Sequence, residues 1–207
     1  MNMSEIPYTI YAEGTPNPAS LKFVANKLIL VSGASAEYDS VQSAKDAPIA
    51  LALFQFPFVK RILINSNYIT VLKSDSVSWD EVMSEVRIFI TNYLNDGKEI
   101  VNKLPQQEVA KDNNFKETVK VNTQHAPPSN EVETKIIEIL EQYIRPAVEQ
   151  DGGMITFKQL QDGIVTVQMR GSCSGCPSST QTLKAGIEGL LKRLMPDAIK
   201  EVVSEAM

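Results

Sequence analysis

The sequence predicts an α+β protein, two small α+β domains joined by a polar linker, the C-terminal one ordered helix-strand-strand-helix-strand with a Cys-x-x-Cys loop. Three observations support this. Residues 5–97 mix short β-type apolar runs with helical apolar spacing. Residues 98–130 hold few apolar anchors and are rich in Gln, Asn, Lys and Pro, the composition of a linker rather than a core. Residues 131–207 return to apolar periodicity and contain the chain's two cysteines, Cys173 and Cys176. A chain of 207 residues is long enough for one or two real cores.

In the first domain Tyr8, Ile10 and Ala12 alternate, and Leu21–Ala25 and Leu28–Val31 read as two further strands. Gly14-Thr15-Pro16-Asn17-Pro18 separates them as a turn, because neither proline can donate to a ladder. Residues 33–45 are small and polar and predict a loop or irregular strand. Ile49, Leu51, Leu53 and Phe54 predict a short buried helix, with Asp46 as its cap and Pro48 in its first turn. Val59–Ile64 and Tyr68–Leu72 flank Asn65-Ser66-Asn67, a hairpin signal since Asn tolerates left-handed backbone. Ser78-Trp79-Asp80-Glu81 fits a capping box ahead of a helix with Val82, Val86, Phe89/Ile90 and Tyr93/Leu94 on one face, stopped by Asp96-Gly97. Trp79 reads as a core residue.

His125 falls in the linker and reads as solvated. The second domain opens on Ser129 or Asn130 as a helix cap, and Val132, Ile136, Leu140, Tyr143/Ile144 and Val148 give that helix its apolar face. Pro146 should bend or end it, lacking the N–H that would reach back to Gln142. Met154–Leu160 and Ile164–Met169 are strands joined at Gln161-Asp162-Gly163. After the cysteine loop, Leu183, Ile187, Leu190/Leu191 and Leu194 mark a helix ended by Pro196, and Ile199–Val203 a last strand. Gly186 and Gly189 weaken that helix and predict close packing against it.

A formal charge of −5 with no basic block argues against nucleic-acid binding by phosphate neutralisation. No apolar run is long enough to cross a bilayer, so no membrane partner is expected. Met1–Tyr11 shows neither a secretory signal nor an organellar presequence, and the expected location is cytoplasmic. One histidine in a polar stretch is poor equipment for His-based acid–base chemistry or a Cys–His nucleophile. Chemistry of that kind is therefore not expected.

Two cysteines without an export signal point to metal or redox chemistry rather than a disulfide framework. A strand precedes them and a helix follows, so the helix N-terminus should favour thiolate and lower the thiol pKa. Gly171 and Gly175 leave room for backbone N–H groups to approach a bulky anion, and Ser178, Ser179 and Thr180 can cap the helix or donate to sulfur. Two thiolates fill half of a four-ligand site. Three chemistries fit this spacing: half of an iron–sulfur cluster site shared by two chains, a thioredoxin-like dithiol, or half of a shared structural zinc site. The strand hairpin before the motif weakens the thioredoxin reading, since that motif follows the first strand of a βαβ unit.

Arg145-Pro146, Asp151-Gly152-Gly153, Gly163-Ile-Val-Thr-Val, Gly171-Ser-Cys-Ser-Gly-Cys-Pro-Ser-Ser-Thr and Thr182-Leu-Lys-Ala-Gly-Ile-Glu resemble the NifU C-terminal-type domain of Nfu proteins. Thr15-Pro-Asn-Pro, Leu21-Lys-Phe, Pro48-Ile-Ala-Leu-Ala-Leu-Phe, Tyr68-Ile-Thr-Val and Trp79 resemble the Nfu N-terminal domain. The resemblance implies an iron–sulfur cluster scaffold or carrier, a protein that is not an enzyme. In that family Cys173 and Cys176 match the ligand pair, a [4Fe–4S] cluster lies between two protomers of a homodimer, and it passes from a donor scaffold to apo-protein acceptors. The alternative remains a thiol-disulfide oxidoreductase using the same two cysteines. Met154 stands where family members commonly carry an acidic residue, which bears on local surface charge or partner choice rather than on ligation.

Overall fold

A computed structural model of the chain describes residues 6–102, 125–174 and 177–205. It divides into two compact units, Met1–Pro105 and Gln106–Met207. Most of the polar linker expected over 98–130 lies outside the described residues.

The first unit is an antiparallel five-stranded sheet in the order β1 (Ile10–Gly14), β2 (Ser20–Ala25), β5 (Tyr68–Lys73), β4 (Val59–Ile64), β3 (Ala36–Tyr38), with helices α1 (Pro48–Leu53) and α2 (Trp79–Asn95). The register aligns Phe23, Ile69, Ile64 and Ala36 across four strands. With period-two alternation they share one face, and that face forms a single core with Ile49 and Leu53 of α1 and Val82, Val86 and Ile90 of α2. Trp79 packs edge-on to Phe23 at 6.1 Å, so the reading of Trp79 as a core residue holds. The capping box is present: Ser78 N–H donates to Glu81 Oε2 at 2.9 Å, and Ser78 Oγ accepts from Asp80 N–H at 3.3 Å.

Two local expectations need correction here. Leu28–Val31 is not a strand; Ile29 and Leu30 give their N–H groups to the Ser66 carbonyl in the turn between β4 and β5, which takes them out of any ladder. The cap of α1 is Ala47 rather than Asp46, without a side-chain bond, and Pro48 at the helix start reduces the number of N–H groups that need a partner. Within 33–45, residues Ala36–Tyr38 do pair, as edge strand β3.

In the second unit α3 (Glu131–Ile139) runs through a π-helical turn (Leu140–Ile144) into α4 (Arg145–Gln150). Asn130 is the cap, its Oδ1 accepting from Glu133 N–H at 2.8 Å. Pro146 neither ends nor sharply breaks the helical path. The turn before it widens, Arg145 N–H reaches Leu140 C=O five residues back, and α4 restarts with the proline in its first turn. The sheet order is β6 (Gly153–Gln161), β7 (Ile164–Gly171), β8 (Glu201–Glu205), antiparallel between β6 and β7 and parallel between β7 and β8. The β6–β7 turn is Asp162-Gly163, both left-handed with φ 53° and 83°. Helix α5 (Pro177–Leu194) connects β7 to β8, and Ile187 and Leu191 join Ile155, Phe157, Val165, Val167 and Val202 in the second core. The last strand starts at Glu201, because Ile199 is drawn into that core and Lys200 N–H turns to Gly163 C=O at 2.7 Å.

Candidate functional site

The β6–β7 hairpin places its tight turn at one end and the cysteine turn at the other. Gly153 and Gly171 are register partners at that far end. Gly171 has φ 67°, a conformation that glycine adopts without strain, and it swings the chain from β7 into the turn 171–174. Ser174 closes that turn, its N–H and Oγ both donating to Gly171 C=O at 3.1 and 2.9 Å. Ser172 N–H donates to Gly152 C=O at 3.3 Å, and its Oγ donates to the Asp151 carbonyl. From the other side Thr180 Oγ1, in the first turn of α5, donates to Cys173 C=O at 2.8 Å. Three segments thus hold the backbone of Cys173: the 151–153 corner, the end of β7 and the start of α5.

Cys173 is 6% exposed and belongs to the second core. Its Sγ lies 3.9 Å from Ser172 Oγ, a contact in which either atom can be the donor. Burial pushes the thiol pKa up to about 11; Asp151 pushes the same way and the Ser172 contact opposes it. For Cys173 the direction is opposite to the lowered pKa expected from the helix N-terminus, and its largest cause is desolvation of the anion. A soft, protonated, pre-positioned sulfur suits a thiolate ligand whose proton leaves as metal arrives. Cys176 and the loop residue Gly175 lie outside the described residues, as do the side chains of Ser178 and Ser179. Among the described residues no group of three or more His, Cys, Asp or Glu is placed to hold a metal ion.

His125 overturns its sequence reading. Its side chain is 2% exposed rather than solvated. Nδ1 accepts from Phe157 N–H at 2.7 Å, and Ala126 N–H donates to Phe157 C=O at 2.9 Å, so residues 125–126 line the free edge of β6. Nε2 sits 2.5 Å from Glu141 Oε1, and Glu141 also pairs with Arg145 Nη2 at 2.6 Å. Burial pushes the Glu141 carboxyl up, but the His125 hydrogen bond and the Arg145 charge together pull it below its usual value. The sequence signal was Glu141, Arg145 and Glu149 at four-residue spacing on one helical line, a polar stripe inviting a buried partner.

Comparison with known proteins finds matches in both units of the chain. The family model described as scaffold protein Nfu/NifU N terminal matches residues 10–97, and the one described as NifU-like domain matches residues 136–203. The chain is 36% identical over 198 residues to NifU-like protein 4, mitochondrial, of Arabidopsis thaliana, covering 95% of this chain and 65% of that protein. It is 33% identical over 199 residues to the NFU1 iron-sulfur cluster scaffold homolog, mitochondrial, of Drosophila willistoni, covering 95% and 64%. The solution NMR structure of a NifU-like protein from Saccharomyces cerevisiae aligns with 50% of this chain and 92% of its own at 21% identity and TM-score 0.41. The chain spans about two-thirds of the length of the curated relatives it matches. Those relatives are named as mitochondrial proteins, which overturns the cytoplasmic location expected from Met1–Tyr11. The physical reason is plain: eleven residues speak only for themselves, and the match leaves about a third of each relative uncovered. Both family models match in order, and NifU-like protein 5, mitochondrial, of Arabidopsis thaliana is 35% identical with 67% of its length covered; the chain belongs to the Nfu/NifU scaffold protein family.

Proposed function

We propose that this protein is an iron–sulfur cluster scaffold that accepts a cluster as cargo and passes it to apo-proteins, and that it is not an enzyme. The observation that carries this is the presence in one chain, and in family order, of both Nfu/NifU domains. Cys173 and Cys176 are the proposed ligands and a [4Fe–4S] cluster the proposed cargo. One chain brings two thiols and one histidine, and that histidine is occupied by Phe157 N–H and Glu141. A four-thiolate site then requires a second copy, so the loaded form is a homodimer. Delivery follows from the same arithmetic: each acceptor thiol gives its proton to a departing Cys173 or Cys176 thiolate and takes its place on iron, and separation of the chains removes half the original ligands. The first unit, whose described residues include no cysteine or histidine, selects the donors and acceptors.

The rival, a dithiol oxidoreductase, needs a thiolate nucleophile. Burial raises the Cys173 pKa, which disfavours that sulfur as the attacking group. The test is anaerobic reconstitution with iron and sulfide. Expected are a brown protein, about four irons per two chains, and loss of the cluster in Cys173→Ser and in Cys176→Ser. A cluster carried by a monomer, or one that survives Cys176→Ser, overturns the shared site; a colourless protein that turns over insulin disulfides establishes the rival.

A further inference from the structure

The structure points to one further residue in the ligand geometry. We propose that Gly153 is a positioning residue for Cys173: the space its missing side chain leaves is the seat of the Cys173 sulfur. The proposal rests on the scaffold reading for what the sulfur does, but not for where it sits.

A Cβ built on Gly153 falls inside contact distance of Cys173 Sγ, 3.2 Å from Cys173 Cβ and 3.1 Å from the Arg170 carbonyl oxygen. Rotating the Cys173 side chain would relieve the first contact but not the other two, since Cβ does not move with its own torsion and the carbonyl is backbone. An added methyl therefore has to move the sulfur and also press Cys173 Cβ and the Arg170 carbonyl back by a few tenths of an ångström. Displacement is resisted from three directions, by Ser172 on Asp151 C=O and Gly152 C=O, by Ser174 on Gly171 C=O and by Thr180 on Cys173 C=O. The sulfur lies in the space that Gly153 leaves open.

Gly153 also separates space from strain. Gly152 and Gly171 hold φ 73° and 67°, where any side chain is strained, whereas Gly153 is not among the residues with positive φ. Alanine at 153 therefore tests occupied space, without the backbone strain it would bring at 152 or 171. Gly189, in α5, is the matched control, because a Cβ there meets nothing within 4 Å.

The experiment uses the full chain in two backgrounds. With Cys176→Ser, Cys173 is the single thiol, and its alkylation by iodoacetamide is timed at fixed pH with and without Gly153→Ala. Ejecting the sulfur from its seat should speed alkylation at least tenfold, while Gly189→Ala leaves the rate unchanged. With both cysteines present, iron–sulfide reconstitution should give Gly153→Ala an altered visible circular dichroism spectrum and at least threefold faster loss of cluster to a chelator. The melting temperature supplies a cycle that works even if Gly153→Ala folds poorly: Cys173→Ala removes the sulfur, so the drop caused by Gly153→Ala should shrink in that background. Unchanged alkylation and an equal drop in both backgrounds overturn the proposal and leave only the Arg170 carbonyl contact. Failure of the wild-type chain to hold a cluster overturns the scaffold reading instead, and the alkylation and melting arms still decide the seat.

Discussion

His125 shows how one side chain can fasten a segment to a sheet. Its Nδ1 accepts from a backbone N–H, so that nitrogen carries no proton, and the proton sits on Nε2, facing Glu141. Replacing His125 by alanine strips the buried Phe157 N–H of its acceptor, a loss of about 1–3 kcal/mol. Asparagine offers an oxygen at the position of Nδ1 and should recover part of it, which urea unfolding of the three chains will show. The pH dependence has a definite sign. Glu141 is held below its usual value in the folded protein, so its contribution is present above about pH 4.5 and is lost as pH falls through the depressed folded value. In His125→Ala one of the two groups that lower Glu141 is gone, and the acid-side fall in stability should become shallower. An unchanged slope between pH 3 and 6 would mean that Arg145 alone sets the Glu141 charge.

At the scale of elements, sequence reading succeeded where the cause is local. Asn130 capping α3, the Ser78/Glu81 box on α2 and the left-handed Asp162-Gly163 turn each depend on residues within a few positions of one another. It failed where the cause lies elsewhere in the chain. Strand β3 is marked by its pairing to β4, not by its own composition, and the π-helical turn answers Pro146 in a way the apolar spacing of α3 does not announce. His125 is buried by Phe157, thirty-two positions away, and Cys173 acquires its raised pKa from the core that closes on it. The glycines of α5 went wrong by a plausible inference: Gly186 and Gly189 were expected to admit a close neighbour, yet a Cβ at either meets open space. They therefore carry the ordinary penalty of glycine in a helix. Gly189→Ala should raise stability by up to about 1 kcal/mol, read as a higher melting temperature of the apo chain. A fall instead would show that the position is occupied in solution, and a loaded dimer would be the first place to look.

At the scale of the whole molecule, the proposed carrier function assigns a different task to each unit. The proposed ligands lie in the second unit, while the first, whose described residues include no cysteine or histidine, has its own sheet and its own core. Holding a cluster and choosing who receives it should then separate on truncation. Where the cut is made matters. A chain beginning at residue 131 discards Asn130, which caps α3, and the His125–Ala126 pair on the edge of β6, so it tests stability as much as function. A chain beginning at residue 106 keeps all three. It should take up iron and sulfide to the same content as the full chain, because every segment that seats Cys173 is present. Its transfer to an apo acceptor should be at least fivefold slower at low protein concentration, where recognition limits the rate, and should converge on the full-chain rate as concentration rises. Equal transfer at every concentration would remove partner selection from the first unit. Loss of cluster uptake would instead make the first unit part of the site itself, a requirement that nothing in the seating of Cys173 imposes.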